Sequence, residues 1–180
     1  MNIETKRLVL RAAEQEDAKF LADLINDPEV RESLGAYNLV FPTSVEIEER
    51  WIADSSKHND QAVMIIILRT SKKPLGLVAL SDMNERNGSA HLSIIIEQKS
   101  WDKGYGTEAV NGVLERLFDR MNLHRVWLRV DEGNARAIRC YEKCGFGKEG
   151  TLREDHFAHS AWRNSYVMSI LVDEFREGRR

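Results

Sequence analysis

The sequence predicts an α+β fold: a mixed, mostly antiparallel central sheet with helices on both faces. Three observations predict it. Apolar runs recur along the chain, and the middle ones are joined by turns too short to hold a helix. The run Ile94-Ile95-Ile96 is β-branched throughout, as befits a central strand covered on both faces. Over residues 106–121, Val110, Val113, Leu114, Leu117, Phe118 and Met121 step by three and one, which is one buried helical stripe.

Each element follows from local pattern. Leu8-Val9-Leu10 is the centre of a short strand entered at Ile3. Residues 14–26 carry Ala18, Leu21, Leu24 and Ile25 on one helical face. Asp27-Pro28 ends that helix, because the residue before a proline is pushed out of the helical region. Residues 30–42 show no clean period around Gly35, Tyr37 and Phe41, and read as a short helix and a loop. Thr43-x-x-Glu46 is a capping box for a helix through Glu49, Trp51 and Ile52. Strands at 62–69, 75–81 and 91–97 follow, separated by turns at Ser71-Lys72-Lys73-Pro74 and at 84–88. After the helix at 106–121, the alternation Val126, Leu128, Val130 marks a strand over 124–130. A shorter helix over 134–143 ends at Cys144-Gly145-Phe146, with Gly145 as a left-handed cap. Strands at 150–157 and 164–171 flank His159-Ser160-Ala161. Strands joined by turns precede strands joined by helices, so the sheet is antiparallel first and locally parallel around the 106–121 helix.

Composition narrows the function classes. At 180 residues, with 42% hydrophobic and 31% charged residues, the chain reads as one soluble domain over 1–175 with a polar tail at 176–180. A net charge of −3 gives no electrostatic reason to expect a nucleic acid or an anionic membrane as partner. No apolar run approaches the length of a transmembrane helix, and the charged start Met-Asn-Ile-Glu-Thr-Lys-Arg lacks a signal core. The expectation is a cytoplasmic protein. Cys140 and Cys144 form no Cys-x-x-Cys and read as buried free thiols. No metal site is expected: His156-x-x-His159 lacks further ligands and reads as solvent-facing.

The segment that carries chemistry is Trp101-Asp102-Lys103-Gly104-Tyr105-Gly106-Thr107. It follows a hydrophobic strand and opens a helix. Glycines let backbone N–H groups approach an anion, and a helix N-terminus adds unpaired donors and partial positive charge. It is neither a Walker loop nor a dinucleotide fingerprint, since Gly-Lys-Ser/Thr and the third glycine are both missing. Taken alone, Gly-x-Gly is also what a tight turn before a helix requires.

The segment resembles the acetyl-CoA loop of the GNAT superfamily of N-acetyltransferases, whose pattern is Gln/Arg-x-x-Gly-x-Gly/Ala. Trp101 at the first position departs from that pattern and resembles the ribosomal-protein N-terminal acetyltransferase (RimJ/RimL-like) branch. Asn134-Ala135-Arg136-Ala137-Ile138-Arg139-Cys140-Tyr141-Glu142-Lys143-Cys144-Gly145-Phe146 is similar to the superfamily's second helix. Thr5-x-Arg7-Leu8-x-Leu10-Arg11 also resembles that branch, so the likeness spans nearly the whole chain. It implies a GNAT fold in which pantetheine lies between a splayed parallel pair, here the strands at 91–97 and 124–130. It implies that the backbone of Ile94, Ile95 and Ile96 pairs with pantetheine amides, one N–H polarising the thioester carbonyl. The pyrophosphate would rest on N–H groups from Trp101, Asp102, Lys103, Gly104, Tyr105, Gly106 and Thr107. Tyr141 would be the general acid that gives the departing thiolate its proton; its alternative is a tyrosine packing at an apolar helix edge. Asn134 either caps its helix or bonds pantetheine. Glu97, Asp82 and His91 lie on or near the flanking strands, and none stands out as the base.

The expected function is therefore acetyl transfer from acetyl-CoA to a primary amine. A protein or peptide N-terminal amine is the expected acceptor, and a homodimer is expected by analogy. The alternatives are a spermidine or polyamine acetyltransferase and an inactive acetyl-CoA-binding sensor. The polyamine reading ranks second because residues 33–39 lack carboxylates. Glu46, Glu48 and Glu49 come later and read as a solvated helix face.

Overall fold

The computed structural model describes residues 2–34, 41–158 and 160–178. Its N-terminal segment is a hairpin rather than one strand. β1 (Ile3–Glu4) and β2 (Leu8–Ala12) pair antiparallel, with Ile3 opposite Leu10. Thr5 closes the turn: its N–H donates to the Leu8 carbonyl at 3.0 Å, and its hydroxyl accepts from the Leu8 N–H at 3.1 Å.

A 3-10 turn at Gln15–Asp17 leads into α1 (Ala18–Asn26). The proline expected only to stop a helix also starts one. Asp27 accepts from the N–H groups of Glu29 and Val30 and caps α2 (Pro28–Ser33), where the missing N–H of proline costs nothing. Gly35 and Tyr37 lie outside the described residues. α3 (Val45–Ser55) is capped by Ser44 instead of Thr43, whose hydroxyl donates to Glu48 at 2.7 Å. Glu48 is consequently buried rather than part of a solvated face, while Glu46 stays exposed and pairs with Arg50.

β3 (Ala62–Leu68), β4 (Pro74–Asn84) and β5 (Ser89–Ile96) form an antiparallel meander. α4 (Tyr105–Glu115) crosses over to β6 (Arg125–Asp131), which is parallel to β5. α5 (Ala135–Lys143), β7 (Gly147–Ala158), β8 (Ala161–Leu171) and α6 (Val172–Glu177) complete the chain. Among the described residues eight strands make one sheet, ordered β1-β2-β3-β4-β5-β6-β8-β7. α6 was not expected from the sequence; it takes up Arg176 and Glu177 of the predicted tail.

Helices cover both faces. Val110, Val113, Leu114, Leu117 and Phe118 of α4 and its continuation bury against Leu8, Leu10, Leu92 and Val126. On the other face Leu21, Leu24, Val30 and Ile52 close over Ile65 and Leu77. Each such side chain contributes roughly 1.5–3 kcal/mol on leaving water. Met121 is the exception in the predicted stripe. The helix widens into a π-turn at Arg116–Arg120, which breaks the 3.6 period and leaves Met121 exposed. No helix among the described residues is long and apolar enough to cross a membrane.

Candidate active site

The register of β5 creates the site. Only Ser89, Ala90 and His91 pair with β6, opposite Arg125, Val126 and Trp127. From Leu92 onward β5 stays with β4, whereas from Leu128 onward β6 stays with β8. The two parallel strands therefore part beyond His91 and Trp127. A cleft of about 830 Å³ opens there, within the usual range for ligand sites.

The structure brings most of the predicted residues to this cleft. Ile94, Ile95, Ile96, Trp101, Asp102, Gly104, Tyr105, Gly106, Thr107, Asn134 and Tyr141 all line it. Lys103 does not: its ammonium donates to the Lys99 carbonyl at 2.7 Å, and its own carbonyl accepts from Arg7 at 3.0 Å.

At one end lies the start of α4. Gly104 precedes it with φ of 76°, a left-handed conformation that glycine adopts without strain. The first N–H groups of the helix have no partner within it. The N-terminal hairpin braces this turn. Glu108 accepts from the Thr5 hydroxyl, the Arg7 N–H and the Arg7 guanidinium, each at 2.6 Å. Burial pushes the Glu108 carboxyl up, but these donors outweigh it and hold the group below its ordinary value. Trp101 has a structural reason for its departure from the pattern. Its indole N–H donates to the Ile96 carbonyl at 2.7 Å, and the Arg136 guanidinium stacks 3.2 Å above its ring centre. Arg136, Arg139 and Lys143 make this end of the cleft basic.

α5 forms one wall. Asn134 Oδ1 accepts from the Ala137 N–H at 3.0 Å and caps that helix, while its Nδ2 donates to the Ser33 carbonyl at 2.7 Å. Tyr141 is buried, its ring 5.8 Å from that of Phe146. Burial raises its phenol well above the ordinary value, and the Cys140 and Cys144 thiols add to this. It is thus held protonated. Cys144 is buried as expected; Cys140 is only half-buried, lines the cleft, and lies 3.4 Å from the Thr107 hydroxyl.

The other end is built by a row across three strands: Ser81 on β4 stands opposite His91 on β5, which stands opposite Trp127 on β6. The Ser81 hydroxyl lies 3.1 Å from His91 Nδ1 and 3.3 Å from Asp82 Oδ2. Asp82 takes φ of 50° at a β-bulge, which turns the strand beside the cleft. The His91 and Trp127 rings are 4.6 Å apart. Among the flanking-strand candidates, Glu97 is spent elsewhere, accepting from Ser100 at 2.8 Å and pairing with Lys99 at 2.9 Å.

Sequence reasoning missed Arg136, Arg139 and Lys143, although their helical spacing after Asn134 was a usable signal. It also missed Ser81, Trp127 and Asp131. His156, expected at the surface, is buried, with its Nε2 3.0 Å from Asp131. His159 lies outside the described residues.

A family model described as "Acetyltransferase (GNAT) domain" matches residues 7–147. The chain belongs to the GNAT family. It is an N-acetyltransferase that uses acetyl-CoA. The spermidine N(1)-acetyltransferase of Vibrio cholerae serotype O1 is 29% identical over 94% of this chain and 95% of that protein. The spermidine N(1)-acetyltransferase of Escherichia coli K12 is 30% identical over 92% of this chain and 87% of that protein. The crystal structure of the Vibrio cholerae spermidine N-acetyltransferase in complex with CoA and spermine superposes with a TM-score of 0.86. It is 28% identical and covers 96% of this chain and 99% of that chain. These relatives overturn the peptide N-terminal acceptor expected from the sequence.

Proposed function

We propose that this GNAT enzyme moves the acetyl group of acetyl-CoA to a primary amine of spermidine or a similar small polyamine. The observation that carries the reading is the end-to-end likeness to spermidine acetyltransferases, together with the superposition on a chain bound to CoA and spermine. The RimJ/RimL-like branch suggested by Trp101 and the Thr5–Arg11 segment draws no support from these relatives.

The chemistry of the cleft is compatible. The cleft lining includes two carboxylates: Asp82, beside the fork of β5 and β6 and suited to a polycation, and Asp131, which Arg163 already pairs. The cations near them are paired: Arg129 with Asp155, and Arg163 with Asp131 at 3.3 Å. At the other end Gly104, Tyr105, Gly106 and Thr107 offer N–H groups, and Arg136, Arg139 and Lys143 offer cations, for the cosubstrate's phosphates. The free edge of Ile94, Ile95 and Ile96 offers backbone pairing to its amide arm. Acetyl-CoA supplies the thioester; Tyr141 protonates the departing sulfur, and a β5 N–H polarises the carbonyl.

The test is product identification. Protein, acetyl-CoA and spermidine should yield monoacetylated spermidine by mass spectrometry, one for each CoA released. CoA release with no acetylated polyamine contradicts the reading.

A further inference from the structure

The row Ser81–His91–Trp127 lies where β5 and β6 part, at the end of the cleft remote from the anion-binding turn. With its phosphates at the α4 N-terminus and its amide arm along Ile96, Ile95 and Ile94, the cosubstrate would carry its thioester toward His91. The Ser81 hydroxyl is within reach of both Asp82 Oδ2 and His91 Nδ1. A carboxylate can only accept, so the serine hydrogen points to Asp82. His91 Nδ1 then donates to the serine oxygen. That tautomer leaves the lone pair on Nε2, in a residue that lines the cleft. The Trp127 ring beside it limits how the imidazole turns.

We propose that His91 is the general base of the reaction, oriented through Ser81 by Asp82. As the amine nitrogen attacks the thioester carbonyl, the N–C bond forms and the C–S bond breaks. Bond formation acidifies the nitrogen, and its surplus proton passes to His91 Nε2. The departing thiolate takes its proton from Tyr141. His91 later releases the captured proton to water, and the Tyr141 phenolate recovers one, so one proton is liberated per protonated amine acetylated. The charged groups acting on His91 are Asp82 on β4 and Arg129 on β6. Burial, aided by Arg129 and opposed by Asp82, moves the imidazole below its ordinary value and keeps it neutral at pH 7.

The experiment measures kcat/KM against pH at saturating acetyl-CoA, using the fastest primary amine of a panel that includes spermidine. A wrong polyamine reading then changes which amine is chosen, and the base can still be tested. In the wild type, log kcat/KM falls with slope 2 at low pH: one proton belongs to the acceptor amine and one to the imidazole. His91→Gln should lose about a hundredfold at pH 7 and fall with slope 1 throughout, with acetyl-CoA affinity unchanged. Wild-type kcat/KM, or a retained slope of 2, overturns the proposal. Ser81→Ala removes one hydroxyl and spares the imidazole. It should lower kcat/KM several-fold and move the break between the slopes, and an unmoved break at the wild-type rate overturns the relay.

Discussion

Asn134 donates from Nδ2 to the carbonyl of Ser33 at 2.7 Å, so the cap of α5 also holds the end of α2, 101 residues earlier in the chain. Both residues line the cleft. Asn134→Ala removes the helix cap and leaves the Ser33 carbonyl without this donor. It should cost about 1–2 kcal/mol in urea unfolding. Asn134→Asp keeps an acceptor for Ala137 and loses only the link to Ser33, so it should fall between. Wild-type stability for Asn134→Ala would show that water replaces both bonds at no cost.

Tyr141 is buried with its phenol held protonated. Tyr141→Phe removes one oxygen and preserves the ring contact with Phe146. We expect about a hundredfold loss of kcat with little change in acetyl-CoA Kd by calorimetry. An unchanged kcat would assign Tyr141 to packing alone.

Gly104 and Gly76 separate cofactor binding from folding. A Cβ on Gly104 would have only Arg7 Nη2 nearby, at 3.4 Å, but φ of 76° disfavours any side chain. Gly104→Val should distort the turn and weaken acetyl-CoA binding about tenfold, for roughly 1.4 kcal/mol of strain, in a folded protein. Gly76→Ala is the contrast, because its Cβ would meet the Ile95 carbonyl oxygen at 2.0 Å. It should destabilise the β4–β5 pair by about 3 kcal/mol or more. Equal acetyl-CoA affinity in Gly104→Val would leave that loop as a turn only.

The local signals were legible because they are local. Helical period, the Gly-x-Gly turn, the Asn134 cap and Gly145 at φ of 93° each depend on a few neighbouring residues. What escaped depends on register or on competing partners. His91 was visible as a base candidate, but its neighbours Ser81 and Trp127 were not, because the row forms only through strand pairing. Thr43 lost its capping role to Ser44 because buried Glu48 needed a donor. The acceptor was misjudged for a similar reason. Residues 33–39 lack carboxylates, but the cleft draws Asp82 and Asp131 from β4 and β6, which no local pattern groups.

Acid should loosen the sheet at β7. Glu149 is held at about 2 by hydrogen bonds from Arg125 and Ser169, against an ordinary 4.5. A depressed carboxylate contributes stability above its unfolded value and loses that contribution as pH falls through the folded one. Stability should therefore decline between about pH 4.5 and 2, and Glu149→Gln should flatten that decline. The effect is small, since the pair is solvent-accessible. Parallel stability curves for the two proteins across this window would contradict the assignment.

The most direct test of the account compares acceptors. Steady-state CoA release should be measured with spermidine and with a peptide bearing a free N-terminus, each varied at saturating acetyl-CoA. The account predicts the larger kcat/KM for spermidine. Turnover of the peptide with none of spermidine would contradict it and return the cleft to a peptide N-terminal amine.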